Sequence, residues 1–214
     1  MAEPALLEGR LSVERLRPYR AAAGGDLPRA IALYEWNAEV SGAMWSTLGH
    51  VEVLIRNAMH EQLTGWSATK FGETRWYLDP GRALTDEARK DIAGARLRAI
   101  RNGNPETPGR VVAELGLGFW RFLLATRYER SLWMPCLRAA FPQIIGTGTR
   151  RHVHDSLAHL HVLRNRIAHH EPIHNRPLAN LHTTAMTVAG WVCPVTRDWI
   201  GSLSRVGQLL PDRP

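Results

Sequence analysis

Apolar residues recur at three- and four-residue intervals along almost the whole of this chain, and no stretch alternates at the two-residue period of a half-buried strand. The longest run is Ile31, Leu33, Tyr34, Ala38, Val40, Met44, Leu48, Val51, Leu54, Ile55, Met59 and Leu63. Side chains on a strand point to opposite faces at every step, so such a stripe faces one core only on a helix. The chain is therefore expected to be all-α, a compact bundle of several helices.

Start and stop signals divide it. Asp26, or Leu27-Pro28, opens the long run; Gly42 and Gly49 inside it mark close packing or a bend. Thr64-Gly65 is expected to begin a connector carrying Trp66, Phe71, Trp76 and Tyr77, closed by Asp79-Pro80-Gly81. Thr85-Asp86-Glu87 starts a helix over 88–100, stopped by Asn102-Gly103-Asn104-Pro105. Thr107-Pro108 starts a segment over 111–117, Gly118-Phe119-Trp120 leads into 122–128, and 132–140 reads as a short helix before Phe141-Pro142. Gly146-Thr147-Gly148-Thr149 is a loop and cap for a helix from about 150 to 168 or 169, since Pro172 forbids much more. Helices over 178–192 and 194–203 follow, and 205–214 reads as a tail. With 214 residues, no internal repeat and no long linker, one domain over 1–214 is expected.

No apolar run approaches the roughly 18 residues of a membrane span, and Met1 to Gly9 carry Glu3 and Glu8 rather than the basic start of a signal peptide. Cys136 and Cys193 lie among apolar neighbours without a CxxC pair, as reduced, buried thiols would. A cytoplasmic protein with no membrane partner is the expectation. The net charge of +7 comes almost wholly from arginine, Lys70 and Lys90 being the only lysines. Arginine recognises phosphate through a planar, bidentate fork, which fits a nucleic-acid partner. A GC-rich coding sequence, with its Ala, Gly and Pro richness, accounts for the same bias.

Eight of the ten histidines fall between His152 and His182. Pairs such as His152/His154 and His159/His161 diverge by about 200° on a helix and cannot share an ion. Pro172 separates His170 from His174, and no HExxH or zinc-finger spacing is present, so no metal and no cofactor are expected. Gly146-Thr147-Gly148-Thr149 lacks the lysine of a nucleotide-binding P-loop.

On a wheel of about 100° per residue, Val153, Leu157, Leu160, Leu163 and Ile167 form one apolar stripe. Asn165 and His169 lie one turn apart beside it, with His161 a turn before Asn165 and His154 two turns before His161. Arg164 lies on the opposite margin, about 140° from His169 on an ideal helix. Only the arginine's length, unwinding before Pro172, or two copies meeting across a two-fold axis brings both to one phosphate. Each group also has a plain reading: His169-His170 as favourable charge at a helix C-terminus, Arg164 as a solvated cation, Asn165 as a surface amide. Arg56-Asn57, which echoes Arg164-Asn165 and precedes His60, is either a second half-site or a structural element, pairing with Glu52 or capping a neighbour. The eight tryptophans suit a core or a dimer interface, with one or two available to stack on unpaired bases.

Leu163-Arg164-Asn165-Arg166-Ile167-Ala168-His169-His170 resembles the arginine-polar-x-x-x-histidine signature of HEPN ribonucleases, and more narrowly the bacterial Abi-like (abortive infection) family. Further elements resemble that family in order: Leu11-Ser12 to Tyr19, Ala30 to Leu33-Tyr34, Trp36-Asn37, Glu52 to Ala58, Gly118-Phe119-Trp120, Ala140-Phe141-Pro142 and Asn175-Arg176. The resemblance spans about residues 11 to 190. It implies a HEPN-like helical bundle with added N- and C-terminal helices, a homodimer, and a metal-independent endoribonuclease of phage defence or of a toxin–antitoxin system, with an antitoxin, protein or RNA, as a further partner. Arg164, Asn165 and His169 are the implied active-site motif, with His170, Glu52, Arg56, Asn57 and Arg166 as accessories. Imidazole, which titrates near 6.5, suits removal of a proton from a ribose 2′-OH. The 2′-oxygen then attacks its own phosphate while arginine stabilises the developing charge. RNA is implied over DNA because only RNA has that hydroxyl. The competing reading is a non-catalytic helical module that binds RNA or dimerises.

Overall fold

One helix organises the molecule. In the computed structural model, which describes residues 3–214, α3 (Leu27–Phe71) runs unbroken for 45 residues, about 67 Å at 1.5 Å per residue. Asp26 caps its first turn by accepting from the Arg29 N–H at 2.9 Å, Pro28 sits where no N–H is needed, and Gly72 ends it in the left-handed region with φ 72°. The expected break at Thr64-Gly65 does not occur. Gly65 costs about 1 kcal/mol inside a helix, but Leu63 is buried and Trp66 packs against the core, and their apolar burial outweighs it. Nor do Gly42 and Gly49 mark close packing: a Cβ at either would meet nothing within 4 Å.

Before α3 lie α1 (Pro4–Leu11) and α2 (Val13–Ala22), the latter capped by Ser12. Helices at the N-terminal end were implied by the resemblance, though no start or stop signal marked the bounds of α1; of the Met1–Gly9 stretch, residues 1 and 2 lie outside the described residues. After α3 come α4 (Asp86–Ala99), α5 (Pro108–Ala113) and α6 (Leu117–Phe122). Then follow α7 (Thr149–Ala168), α8 (Leu178–Val192), α9 (Pro194–Leu203) and α10 (Val206–Leu209). Thr85 and Thr107 cap α4 and α5 as their positions in the sequence suggest. The expected helix over 132–140 is absent. A wide π turn (Glu129–Trp133) precedes Pro135, which has no N–H to continue a helix, and a 3-10 turn (Leu137–Ala140) follows.

α3 packs against α2, α6, α7, α8, α9 and α10, while α4 and α5 pack on each other. The buried apolar residues form one contiguous core cluster, including Leu16, Met44, Ile55, Trp120, Leu157 and Val188. The result is an all-helical bundle without strands among the described residues. The tail expected over 205–214 is corrected for its first half. Val206 and Leu209 are buried, and the indole N–H of the buried Trp36 donates to the Leu209 carbonyl at 2.7 Å. An indole sealed in a core needs an acceptor, and the chain's end supplies it. Cys136 is buried as expected, but Cys193 is only half-buried, because it caps the start of α9. No helix among the described residues is long and apolar enough to cross a membrane.

Candidate functional site

The C-terminal half of α7 is held by segments far apart in sequence. Its stripe of Val153, Leu157, Leu160 and Leu163 is buried, which turns Arg164 and Asn165 to the half-buried margins. Arg164 sits between two residues of α3. Its guanidinium carbon lies 5.1 Å from the centre of the Trp45 ring, and its Nε is 3.8 Å from the Glu52 carboxylate. At that distance Glu52 orients the arginine without a hydrogen bond, and a partly exposed pair of this kind contributes little stability. The guanidinium is thus placed but not committed.

Asn165 does not orient His169. Its amide meets Nε2 of His161, one turn earlier, at 3.2 Å. Burial first, then the positive charges of Arg121 and Arg164, push the His161 imidazole below its ordinary pKa. A neutral ring can accept the amide N–H, so both observations describe one arrangement. Gly118 of α6 lies directly beneath: a Cβ there would come within 2.9 Å of His161 Nε2. The absence of a side chain at Gly118 lets α6 approach α7 closely enough to seat the ring.

The helix then stops in a Schellman turn. The His170 N–H donates to the Ile167 carbonyl and the Glu171 N–H to the Arg166 carbonyl at 2.8 Å. The position after the cap normally belongs to glycine; here His170 holds it at φ 54°. Arg166 serves this turn rather than a substrate. Its guanidinium donates to the Pro172 carbonyl at 2.8 Å and pairs with Glu171 at 3.0 Å. Beyond it, the buried Asn37 of α3 accepts the Ile173 and His174 N–H groups at 2.8 and 2.9 Å. His169, the C-cap residue, is exposed and makes no side-chain hydrogen bond with the described residues.

Beside the turn runs a cleft of about 450 Å³, floored by Tyr34, Asn37, Ala38, Ser41, Gly42 and Trp45 and walled by His170 and Glu171. The floor residues share one helical face at three- and four-residue spacing. Three small residues between two aromatics leave a trough, and Trp45 at its end is 44% exposed. Trp45 thus joins the Arg164 side of the site to the His170 side.

The chain brings together Arg164, Glu52, Asn165, His161, Arg121 and Trp45, with His170 across the trough. It does not bring Arg56 and Asn57 to them: Arg56 donates to Asn57 at 3.4 Å, and His60 is occupied by the Trp76 N–H at 2.9 Å. Nor does it join His169 to Arg164. Arg121, His161 and Trp45 were not among the sequence candidates. The i,i+4 spacing of His161 to Asn165 was the available signal for one, and the Trp45–Glu52 seven-residue spacing for another. The other clustered histidines disperse: His154 meets Asp155, His182 meets Ser204, and His174 packs on Tyr19. Among the described residues no three His, Cys, Asp or Glu side chains converge as a metal site requires. Compared with protein families, curated proteins and solved structures, the chain matches none of them.

Proposed function

We propose that the protein is an endoribonuclease that cleaves RNA by attack of a ribose 2′-OH on the adjacent phosphate, acting in phage defence or as the toxin of a toxin–antitoxin pair. One observation supports the reading: Asn37, Glu52 and Gly118, three of the positions that resemble the Abi-like family outside the Arg-Asn…His hexad, contact either the C-terminal half of α7 or the segment that follows its closing turn. Asn37 fixes the turn that presents the histidines, Glu52 places Arg164, and Gly118 seats the imidazole that holds Asn165.

The chemistry follows from the groups. His169, exposed at the helix stop, takes the 2′-OH proton. Arg164 exchanges its loose contact with Glu52 for a phosphoryl oxygen and stabilises the charge that builds there. His170, facing the cleft, delivers a proton to the leaving 5′-oxygen. Trp45 offers an unpaired base a ring on which to stack. The substrate supplies its own nucleophile, so the scheme needs no metal ion. Since one chain sets Arg164 and His169 on different sides of the helix, two copies meeting along α7 form the complete cleft.

The test is incubation of the purified protein with mixed cellular RNA in EDTA, beside Arg164→Ala and His169→Ala variants. Cleavage leaving 2′,3′-cyclic phosphate ends, and lost in both variants, is the expected result. If wild type and variants leave the RNA equally intact, and no antitoxin has co-purified, the non-catalytic RNA-binding or dimerising module replaces this reading.

A further inference from the structure

Away from the α7 site, the start of α8 opens into a recess of about 210 Å³, lined by Trp36, His174, Arg176, Asn180 and Arg213 among others. That is smaller than the pockets of roughly 300–1,000 Å³ that enclose drug-sized ligands, and it suits a compact ion. Arg176 and Arg213 have no carboxylate or carbonyl partner among the described residues. Arg213 lies over the Trp36 ring at 5.8 Å. Pro177, as N-cap, supplies no capping side chain, and no backbone acceptor takes the N–H groups of Ala179 and Asn180 in the first turn. A fifteen-residue helix therefore points its positive end, uncapped, into a recess that already carries two free guanidiniums.

The independent observation is His174. It is 4% exposed, yet neither ring nitrogen has a hydrogen-bond partner. Tyr19 covers one side, with ring centres 4.9 Å apart, and the His174 backbone N–H is bound to the buried Asn37, which anchors the residue at the inner wall. Burial and the nearby Arg213 both hold the imidazole below its usual pKa, as a site with surplus positive charge and no anion would. A buried imidazole N–H needs an acceptor.

We propose that this recess is an oxyanion site for a phosphate group. Arg176 and Arg213 grip it bidentately, the Ala179 and Asn180 N–H groups close on it from the helix end, and the His174 N–H donates from the inner wall. The phosphate is either part of an RNA strand or a free phosphate or mononucleotide; the recognising chemistry is the same. The site is separate from the α7 centre and does not depend on the ribonuclease reading.

The test titrates the full-length protein with sodium phosphate against sodium chloride at equal ionic strength, following the melting temperature and the His174 ring proton by NMR. Wild type, Arg176→Gln/Arg213→Gln and His174→Phe are compared. Both arginines are exposed, so the double variant folds; Arg101→Gln/Arg130→Gln controls for net charge. A saturable, phosphate-specific rise in wild type and in the control is expected, with a shift of the His174 proton. Affinity falls about tenfold or more in the double variant, the usual scale for a charge-assisted hydrogen bond. Equal phosphate responses in wild type and the double variant, or none in wild type, overturn the site. Its source is then read by competition with short, uncleavable 2′-O-methyl oligoribonucleotides. Displacement only by a 5′-phosphorylated strand assigns a terminal phosphate, displacement by strands with and without it assigns the backbone, and displacement by neither assigns a free phosphate or mononucleotide.

Discussion

His170→Gly is expected to make the protein more stable and less active. The turn that ends α7 needs a residue at positive φ, and His170 supplies it at 54° while its imidazole faces the cleft. An L-residue in the left-handed region costs about 1–2 kcal/mol from the clash of its Cβ with the following carbonyl; histidine tolerates it better than most, which favours the lower figure. Glycine escapes the clash but gives back about 0.5–1 kcal/mol through its greater freedom in the unfolded chain. Because His170 is exposed, little packing is lost. The balance is a gain of up to roughly 0.5 kcal/mol, or about 1–2 °C in Tm for a chain of this length. His170→Ala keeps the positive φ and removes the imidazole, so it melts at or below wild type while losing activity like the glycine variant. Thermal melts of the three proteins, beside RNA cleavage under single-turnover conditions, separate the effects. If the glycine variant melts no higher than the alanine variant, the turn is not strained; if it cleaves as wild type does, His170 carries no proton.

Four further outcomes follow from the same geometry. Asn37→Ala orphans the buried Ile173 and His174 N–H groups, at about 1–3 kcal/mol each, so chemical denaturation shows a loss of roughly 2–6 kcal/mol and cleavage falls with it. Gly118→Ala drives a methyl into the His161 ring; the ring can swing aside, so the melt moves little while activity drops as Asn165 loses its partner. His60, His161, His174 and His182 all have folded pKa values below the unfolded 6.5, each chiefly through burial. The unfolded state therefore binds more protons once pH falls past about 6.5, and Tm should be flat above that value and decline below it; a protein equally stable at pH 5.5 and 7.5 would contradict those environments. Mixing Arg164→Ala with His169→Ala subunits should restore part of the cleavage that each alone has lost, since a mixed pair contains one intact cleft; no recovery, with mixed dimers shown to form, places the whole reaction in one chain.

The fold was legible wherever burial follows helical period. The stripes of α3 and α7, the caps Asp26, Thr85 and Thr107, and the bounds of α8 and α9 could be read directly, because local propensity and core contact agree there. Where they conflict, the local signal misleads. Gly65 looks like a stop, yet the buried Leu63 and the core-packed Trp66 carry the helix past it. The segment around Pro135 looks like a helix by its apolar spacing, and the ring's missing N–H prevents one. The docking of Leu209 depends on an acceptor for Trp36, 173 residues away in the chain, which no local window contains. The site divides in the same way. The Arg-Asn…His spacing marks where chemistry is available, but Glu52, Gly118 and Asn37 acquire their roles only through contacts across the bundle.

Those long-range contacts separate positioning from chemistry along one helix. Arg164 is oriented from the side by Trp45 and Glu52, on a part of α7 whose opposite face is core. His169 and His170 are oriented from the end, by a turn that Arg166 and Asn37 close. The supports of Arg164 and of the turn are separate, so Arg164 and the C-cap His169 are positioned independently of each other, while His170 shares the trough with Trp45. In the proposed dimer, a second copy packed along α7 would unite Arg164 and His169 without bending either chain, because each copy would need to present only one of the two faces. The trough and Trp45, 44% open to solvent near the middle of the molecule's longest helix, would then face the shared cleft.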